Sequence, residues 1–251
     1  MQKIKISIVS YLNSKPFIAG LNKSDLINKI DLQLDIPSVC AQKLMDGTVD
    51  LGLIPVAVLP LLKEKHIVSD YCIGAVGKVA SVMLYSNVPL EEITNVLLDY
   101  QSRTSVSLVK VLASKFWNIN PQWINAKENY ESEIIETTAA VIIGDRTFGL
   151  ENKYNFSCDL AEEWQKYTGL PFVFACWVSN KELPSSFINE FNTALKMGLN
   201  NRSELIIELQ KSDLYPTNIA TYLNKNIDYD YDSAKKQGLE LFLSYQANLE
   251  Q

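Results

Sequence analysis

Ile4-Lys5-Ile6-Ser7-Ile8-Val9-Ser10-Tyr11-Leu12-Asn13-Ser14-Lys15-Pro16-Phe17 decides the fold. Ile4, Ile6 and Ile8 alternate with polar residues and Val9 extends the apolar run, which predicts a strand. The residues that follow are polar and amide-bearing, and Pro16 fits the first turn of a helix, where its missing N–H is no loss. In an open α/β sheet, a strand whose carboxyl end opens onto a helix N-terminus is where small anions bind. Ser10 and Ser14 offer small hydroxyl donors, Asn13 an amide, and Lys15 a positive charge, with Tyr11 beside them. A capped strand-to-helix turn with no ligand fits the same local pattern.

The alternation continues downstream. Leu32 to Ile36 predicts a strand, Ser38 caps a helix carrying Val39, Ala41, Leu44 and Met45, and Gly47 ends it. Val49 to Val56 predicts a buried strand, and strand-helix-strand order with short connections predicts parallel pairing. Val79–Tyr85, Val96–Asp99, Ala139–Ile143 and Pro171–Val178 are further strands. A helix opens at Ser102 with Val106, Val109, Leu112, Ala113 and Phe116 on one face, and another runs from Asp159 to Thr168. Beyond Pro184 the pattern is helical, broken at Pro216 and by a loop over Asn224–Asp232. The fold class is therefore α/β. With 251 residues and no flexible linker, two lobes must be joined by strands passing between them near Ser81–Asn87 and Phe172–Ser179. The expected division is 1–84 plus 178–251 for one lobe and 85–177 for the other, with a ligand cleft between them.

Hydrophobic content of 47% and charged content of 21% describe a soluble globular chain. No apolar run reaches the roughly 18 residues of a membrane span. The N-terminus shows no apolar signal core and no small-residue cleavage site, so a cytoplasmic location is expected. A formal charge of -6 argues against nucleic acid as a partner but leaves room for a locally positive pocket. Four scattered cysteines form no CxxC and predict buried free thiols. His66 is the only histidine, placed in a helix end or loop, so a multi-histidine metal site is impossible. Neither a metal nor a nucleotide cofactor is expected. The sequence carries no signal for oligomeric state.

Three further stretches carry possible chemistry. Ser102-Arg103-Thr104-Ser105 crowds hydroxyls at a helix start, where free N–H groups favour an anion, and Arg103 can grip a carboxylate; plain N-capping gives the same pattern. Ser81 sits on a crossover strand. Gly144 and Asp145 end a buried strand, where a carboxylate can act as a base or simply pair with Arg146. Trp177 packs in the core or forms an apolar wall of the cleft.

Taken in order, residues 10–17, Asp50-Leu-Gly-Leu-Ile-Pro-Val56, Ser102-Arg-Thr-Ser105, Ile143-Gly-Asp-Arg146 and Thr168-Gly-Leu-Pro-Phe-Val-Phe-Ala175 resemble the signature segments of the chorismate dehydratase family. That family works in the futalosine route to menaquinone and resembles type II periplasmic binding proteins in fold. The resemblance implies a lyase that dehydrates chorismate, a small dianionic substrate, to 3-(1-carboxyvinyloxy)benzoate. It implies that Asn13, Ser81 and Asp145 stand at the reacting centre, with Ser10, Tyr11, Ser14, Lys15, Ser102, Arg103, Thr104, Ser105, Gly144 and Trp177 binding substrate. The base is either Asp145 or the substrate's own enolpyruvyl carboxylate. The alternatives are a non-catalytic binding protein for a small carboxylate, or the related 1,4-dihydroxy-6-naphthoate synthase. The latter is expected to carry a Cys-Pro-Asn-Asp-type loop after its first strand, which this chain lacks.

Overall fold

The computed structural model describes residues 3–150, 152–212 and 218–249. The break read at Pro216 lies outside them. The chain divides into two compact units, 1–74 with 173–232 and 75–172 with 233–251.

The first unit is built on strand β1 (Ile4–Val9), whose buried Ile6 and Ile8 form the core face. β2 (Ile30–Asp35) and β3 (Leu51–Pro55) flank β1 on either side, both parallel to it. The sheet continues through β10 (Phe172–Ser179), antiparallel to β3, then β4 (His66–Ala75) and β11 (Asp228–Asp230), giving the order β11-β4-β10-β3-β1-β2. Helix α1 (Lys15–Lys23) follows β1 with Pro16 in its first turn. α2 (Pro37–Met45) links β2 to β3. Ser38 is not its cap: Ile36 takes that position without a side-chain hydrogen bond, and Pro37 opens the helix. Gly47 ends the segment at φ +69°.

The second unit carries an independent sheet in the order β7-β6-β8-β5-β9. It comprises β5 (Val82–Ser86), β6 (Asn95–Leu98), β7 (Gln122–Asn125), β8 (Thr138–Ile143) and β9 (Phe156–Asp159). β6 pairs parallel with β7 and β8, while β5 is antiparallel to β8 and β9. α3 (Arg103–Leu112) follows β6 and α4 (Leu160–Thr168) follows β9, ending at Gly169 with φ +75°. Three helices complete the first unit: α5 (Ser185–Asn200), α6 (Arg202–Leu209) and the single turn α7 (Ile219–Thr221). The last helix, α8 (Ser233–Leu249), groups with the second unit, unlike the expected division. The reason is packing. Phe242 meets Phe172 and Trp164 edge-on at 5.0 and 6.1 Å, and Gly238 lies so close to Pro171 that a Cβ there would stand 2.3 Å from its carbonyl. His66 begins a strand rather than ending a helix. β7, β9 and β11, which the residue pattern does not announce, are edge strands of three or four residues.

α1 and α5 cross at two glycines. A Cβ on Gly198 would lie 1.9 Å from the Pro16 carbonyl, and one on Gly20 would lie 2.1 Å from that of Ala194. Alanine at a solvated helix position gains up to about 1 kcal/mol over glycine. Here overpacking reverses the sign, so Gly198→Ala is expected to lower unfolding free energy by about 1–3 kcal/mol; a neutral or stabilising result in urea denaturation would show the helices free to separate.

Asp50 fastens the amino end of β3. It accepts from the Lys5 N–H at 2.9 Å and the Lys181 ammonium at 2.5 Å. Burial alone pushes its carboxyl up, but these donors outweigh it and hold the group below its ordinary 3.8. The folded state therefore releases this proton more readily than the unfolded chain. The stabilisation is present above the ordinary aspartate value and is lost as pH falls through the depressed one. Asp50→Asn should lower the neutral plateau of a stability–pH curve and flatten its acid limb below about pH 4, the two proteins converging in acid.

Candidate functional site

In the first unit, the loop after β1 is tied down chiefly through its backbone. Ser10 is exposed, and its N–H donates to the Asp35 carbonyl at 3.0 Å. Leu12–Ser14 form a 3-10 turn in which the Ser14 N–H donates to the Tyr11 carbonyl. The buried Ser14 hydroxyl donates to Asn13 Oδ1 at 3.1 Å, which fixes the orientation of the amide. The Asn13 carbonyl accepts from the Tyr229 hydroxyl at 2.9 Å, and the Tyr229 ring packs edge-on against Phe17 at 5.3 Å. Burial raises the Tyr229 phenol well above its ordinary value, so it remains a donor. Asn13, Tyr11 and Lys15 are half-buried. Trp177 is fully buried, its ring against Phe191 at 4.9 Å and Phe17 at 5.8 Å, which is the core-packing arrangement.

In the second unit, two turns follow neighbouring parallel strands. After β6, Ser102 caps α3, its Oγ accepting from the Ser105 N–H at 3.2 Å and lying 2.9 Å from Ser105 Oγ. Ser102, Thr104 and Ser105 are buried, whereas Arg103 is exposed. The α3 N-terminus is thus lined by hydroxyls at the positive end of its dipole, a chemistry that suits a carboxylate. After β8, Gly144 adopts φ +64° and opens a 3-10 turn through Thr147 that carries the half-buried Asp145. The Gly144 N–H donates to the Ser81 carbonyl at 2.8 Å, bringing Ser81 beside this turn. Ser81 itself is buried.

A residue that the motifs did not single out joins the two turns. Asp99, at the end of β6, has a fully buried side chain that pairs with the Arg146 guanidinium. Its Oδ1 accepts from the Gln101 N–H at 2.8 Å and its Oδ2 from the Tyr130 hydroxyl at 2.6 Å. Arg146 also lies 3.6 Å from Glu131 and over the rings of Tyr100 and Tyr130. Burial, with Asp99 next to it, drives the Tyr130 phenol upward, so the hydroxyl stays protonated. Thr147 was also missed. Its Oγ1 donates to the Gly144 carbonyl at 2.9 Å and reaches the Ala80 carbonyl at 3.3 Å. Among the described residues no three His, Cys, Asp or Glu side chains gather as metal ligands, and no helix is long and apolar enough to cross a membrane.

These features sit in a recognisable sequence and fold. Residues 4–248 match the family described as Menaquinone biosynthesis, and the chain belongs to that family. The chain is 25% identical over 230 residues to chorismate dehydratase of Thermus thermophilus, a match covering 82% of this chain and 83% of that protein. Its fold is similar to that of a structural-genomics protein from Archaeoglobus fulgidus, with a TM-score of 0.71 at 12% identity, covering 99% and 97% of the two chains. The periplasmic aliphatic sulphonate binding protein of Escherichia coli is similar at a TM-score of 0.60 and 15% identity, with 99% and 94% covered. The fold is thus periplasmic-binding-protein-like, a mixed α/β architecture with two sheets.

Removing one member of a buried ion pair strands the other charge and typically costs about 3–5 kcal/mol. Asp99→Asn and Arg146→Met are each expected to destabilise by that order, and the double variant by clearly less than their sum. Additive losses in chemical denaturation would show that the pair is not coupled.

Proposed function

We propose that this protein is a lyase that removes water from chorismate to give 3-(1-carboxyvinyloxy)benzoate, a step of menaquinone biosynthesis by the futalosine route. The supporting observation is the hydroxyl-lined N-terminus of α3, in a chain of the menaquinone biosynthesis family that is similar to a chorismate dehydratase. Chorismate is a dianion, and Ser102, Thr104 and Ser105 are the residues proposed to hold its ring carboxylate. Asn13 and Ser81 are proposed as further substrate contacts, with Ser10, Tyr11, Ser14, Lys15 and Gly144 shaping their loops.

The chemistry asks little of a cofactor. The C3 proton is conjugated through the ring diene to the ring carboxylate. Its removal leaves a delocalised carbanion that becomes aromatic as the C4–O bond breaks, the leaving hydroxyl departing as water by taking up the proton that the base has just accepted. Donors on the ring carboxylate stabilise the developing charge, and much of the remaining acceleration comes from orientation. The enolpyruvyl carboxylate is the base in this reading. Asp145 is then a positioning group at the Gly144 turn, while the neighbouring guanidinium is engaged with Asp99.

Incubation with chorismate, followed by absorbance and mass spectrometry, should show an aromatic product lighter by one water, without added metal and in the presence of a chelator. Chorismate bound but returned unchanged would favour the binding-protein alternative. Asn13→Ala should reduce turnover by about 10²–10³. Asp145→Asn should retain measurable turnover; a variant that binds chorismate normally yet yields no product would make Asp145 the base.

A further inference from the structure

Ala80 holds φ +62°, a left-handed backbone that a residue with a Cβ resists. It lies immediately before Ser81, and the surroundings hold the two residues at three polar backbone atoms. The Ala80 N–H donates to Asp159 Oδ2 at 2.7 Å, the Ala80 carbonyl lies 3.3 Å from Thr147 Oγ1 and shares its proton with the Gly144 carbonyl, and the Ser81 carbonyl accepts from the Gly144 N–H at 2.8 Å. Strain of this kind persists only where the surroundings over-determine it. Asp159 is 5% exposed and serves two pieces of chain at once. Its Oδ1 caps α4, accepting from the Ala161 and Glu162 N–H groups at 3.0 and 3.2 Å, and its Oδ2 reaches the Ala80 N–H. A serine, threonine or asparagine would cap α4 as well. Only a side chain with a second acceptor oxygen does both. Burial raises this carboxyl above its ordinary 3.8, with the backbone N–H groups of Ala80, Glu162, Val79 and Ala161 pulling the other way.

We infer that Asp159 is a positioning residue for Ser81, acting through the Ala80 N–H, an inference that rests on the placing of Ser81 in the substrate site. Without that acceptor the 80–81 peptide is free to turn toward an ordinary backbone conformation, and Ser81 turns with it.

Asp159→Ser separates the two duties, because serine caps a helix as well as aspartate does but is too short to span both partners. Deuterium exchange of the peptide covering residues 79–82 should accelerate while that of 161–168 stays as in the wild type. With chorismate, kcat should fall by about 10-fold to 100-fold with KM little changed, and Ser81→Ala serves as the reference. Asp159→Asn, which keeps one acceptor oxygen, replaces the serine variant if that one does not fold. Unchanged exchange at 79–82 would overturn the inference. So would faster exchange with wild-type kcat in a protein whose Ser81→Ala variant is slow. A Ser81→Ala variant with wild-type kinetics would instead remove Ser81 from the site. Wild-type protein inert toward chorismate would sink the lyase reading alone, and the exchange experiment would still decide whether Asp159 holds the segment.

Discussion

The second unit is organised around one buried negative charge. Desolvating a carboxylate costs several kcal/mol, and the cost is met only if every lone pair finds a donor. Asp99 finds three: the Gln101 N–H, the Tyr130 hydroxyl and the Arg146 guanidinium. Those donors come from three stretches of chain, so the charge can be satisfied only when all three are in place. Two of the stretches are the turns after β6 and β8, which carry Ser102 and Asp145. The ion pair therefore fixes the separation of the two turns as a condition of burying the charge at all, whatever its net contribution to stability.

The loops that carry the candidate residues are held by different means. In the first unit the Ser10–Ser14 loop relies on backbone bonds to Asp35 and Tyr229 and on the Ser14–Asn13 contact. Neutral groups suffice there, because part of the loop remains exposed. In the second unit carboxylates hold the loops, with Asp99 serving one pair of segments and Asp159 another. Charge-assisted bonds are stronger and more directional, which suits turns that include left-handed residues such as Ala80 and Gly144.

The central strands were legible because they are continuous apolar or alternating runs, and the α3 and α4 starts because Ser102 and Asp159 precede amphipathic helices. β4 opens with His66 behind a lysine-rich stretch and is interrupted by Asp70, which masks its apolar spine. The edge strands β7, β9 and β11 bury too little to leave a period. The signature segments carried the family, since their order needs no structure to be read. Asp99 and Asp159 were visible only as a strand end and a helix start. Their other partners lie 47 and 79 positions away, Arg146 for the first and Ala80 for the second, and local sequence holds no record of such pairings. Ser38, by contrast, looked like a cap, but Pro37 already supplied a pre-set φ for the helix start.

The Gly20–Gly198 crossing has a consequence for how this protein tolerates change. Two helices spaced by side chains sit at a distance that depends on rotamers, and a core substitution shifts them. α1 and α5 touch through backbone atoms, which have no rotamers to exchange. α1 begins at Lys15, so the loop bearing Asn13 takes its position from a spacing that is nearly independent of the identity of the surrounding apolar residues. Sequence drift in the first unit's core can therefore accumulate without displacing that amide, provided the two glycines themselves stay fixed.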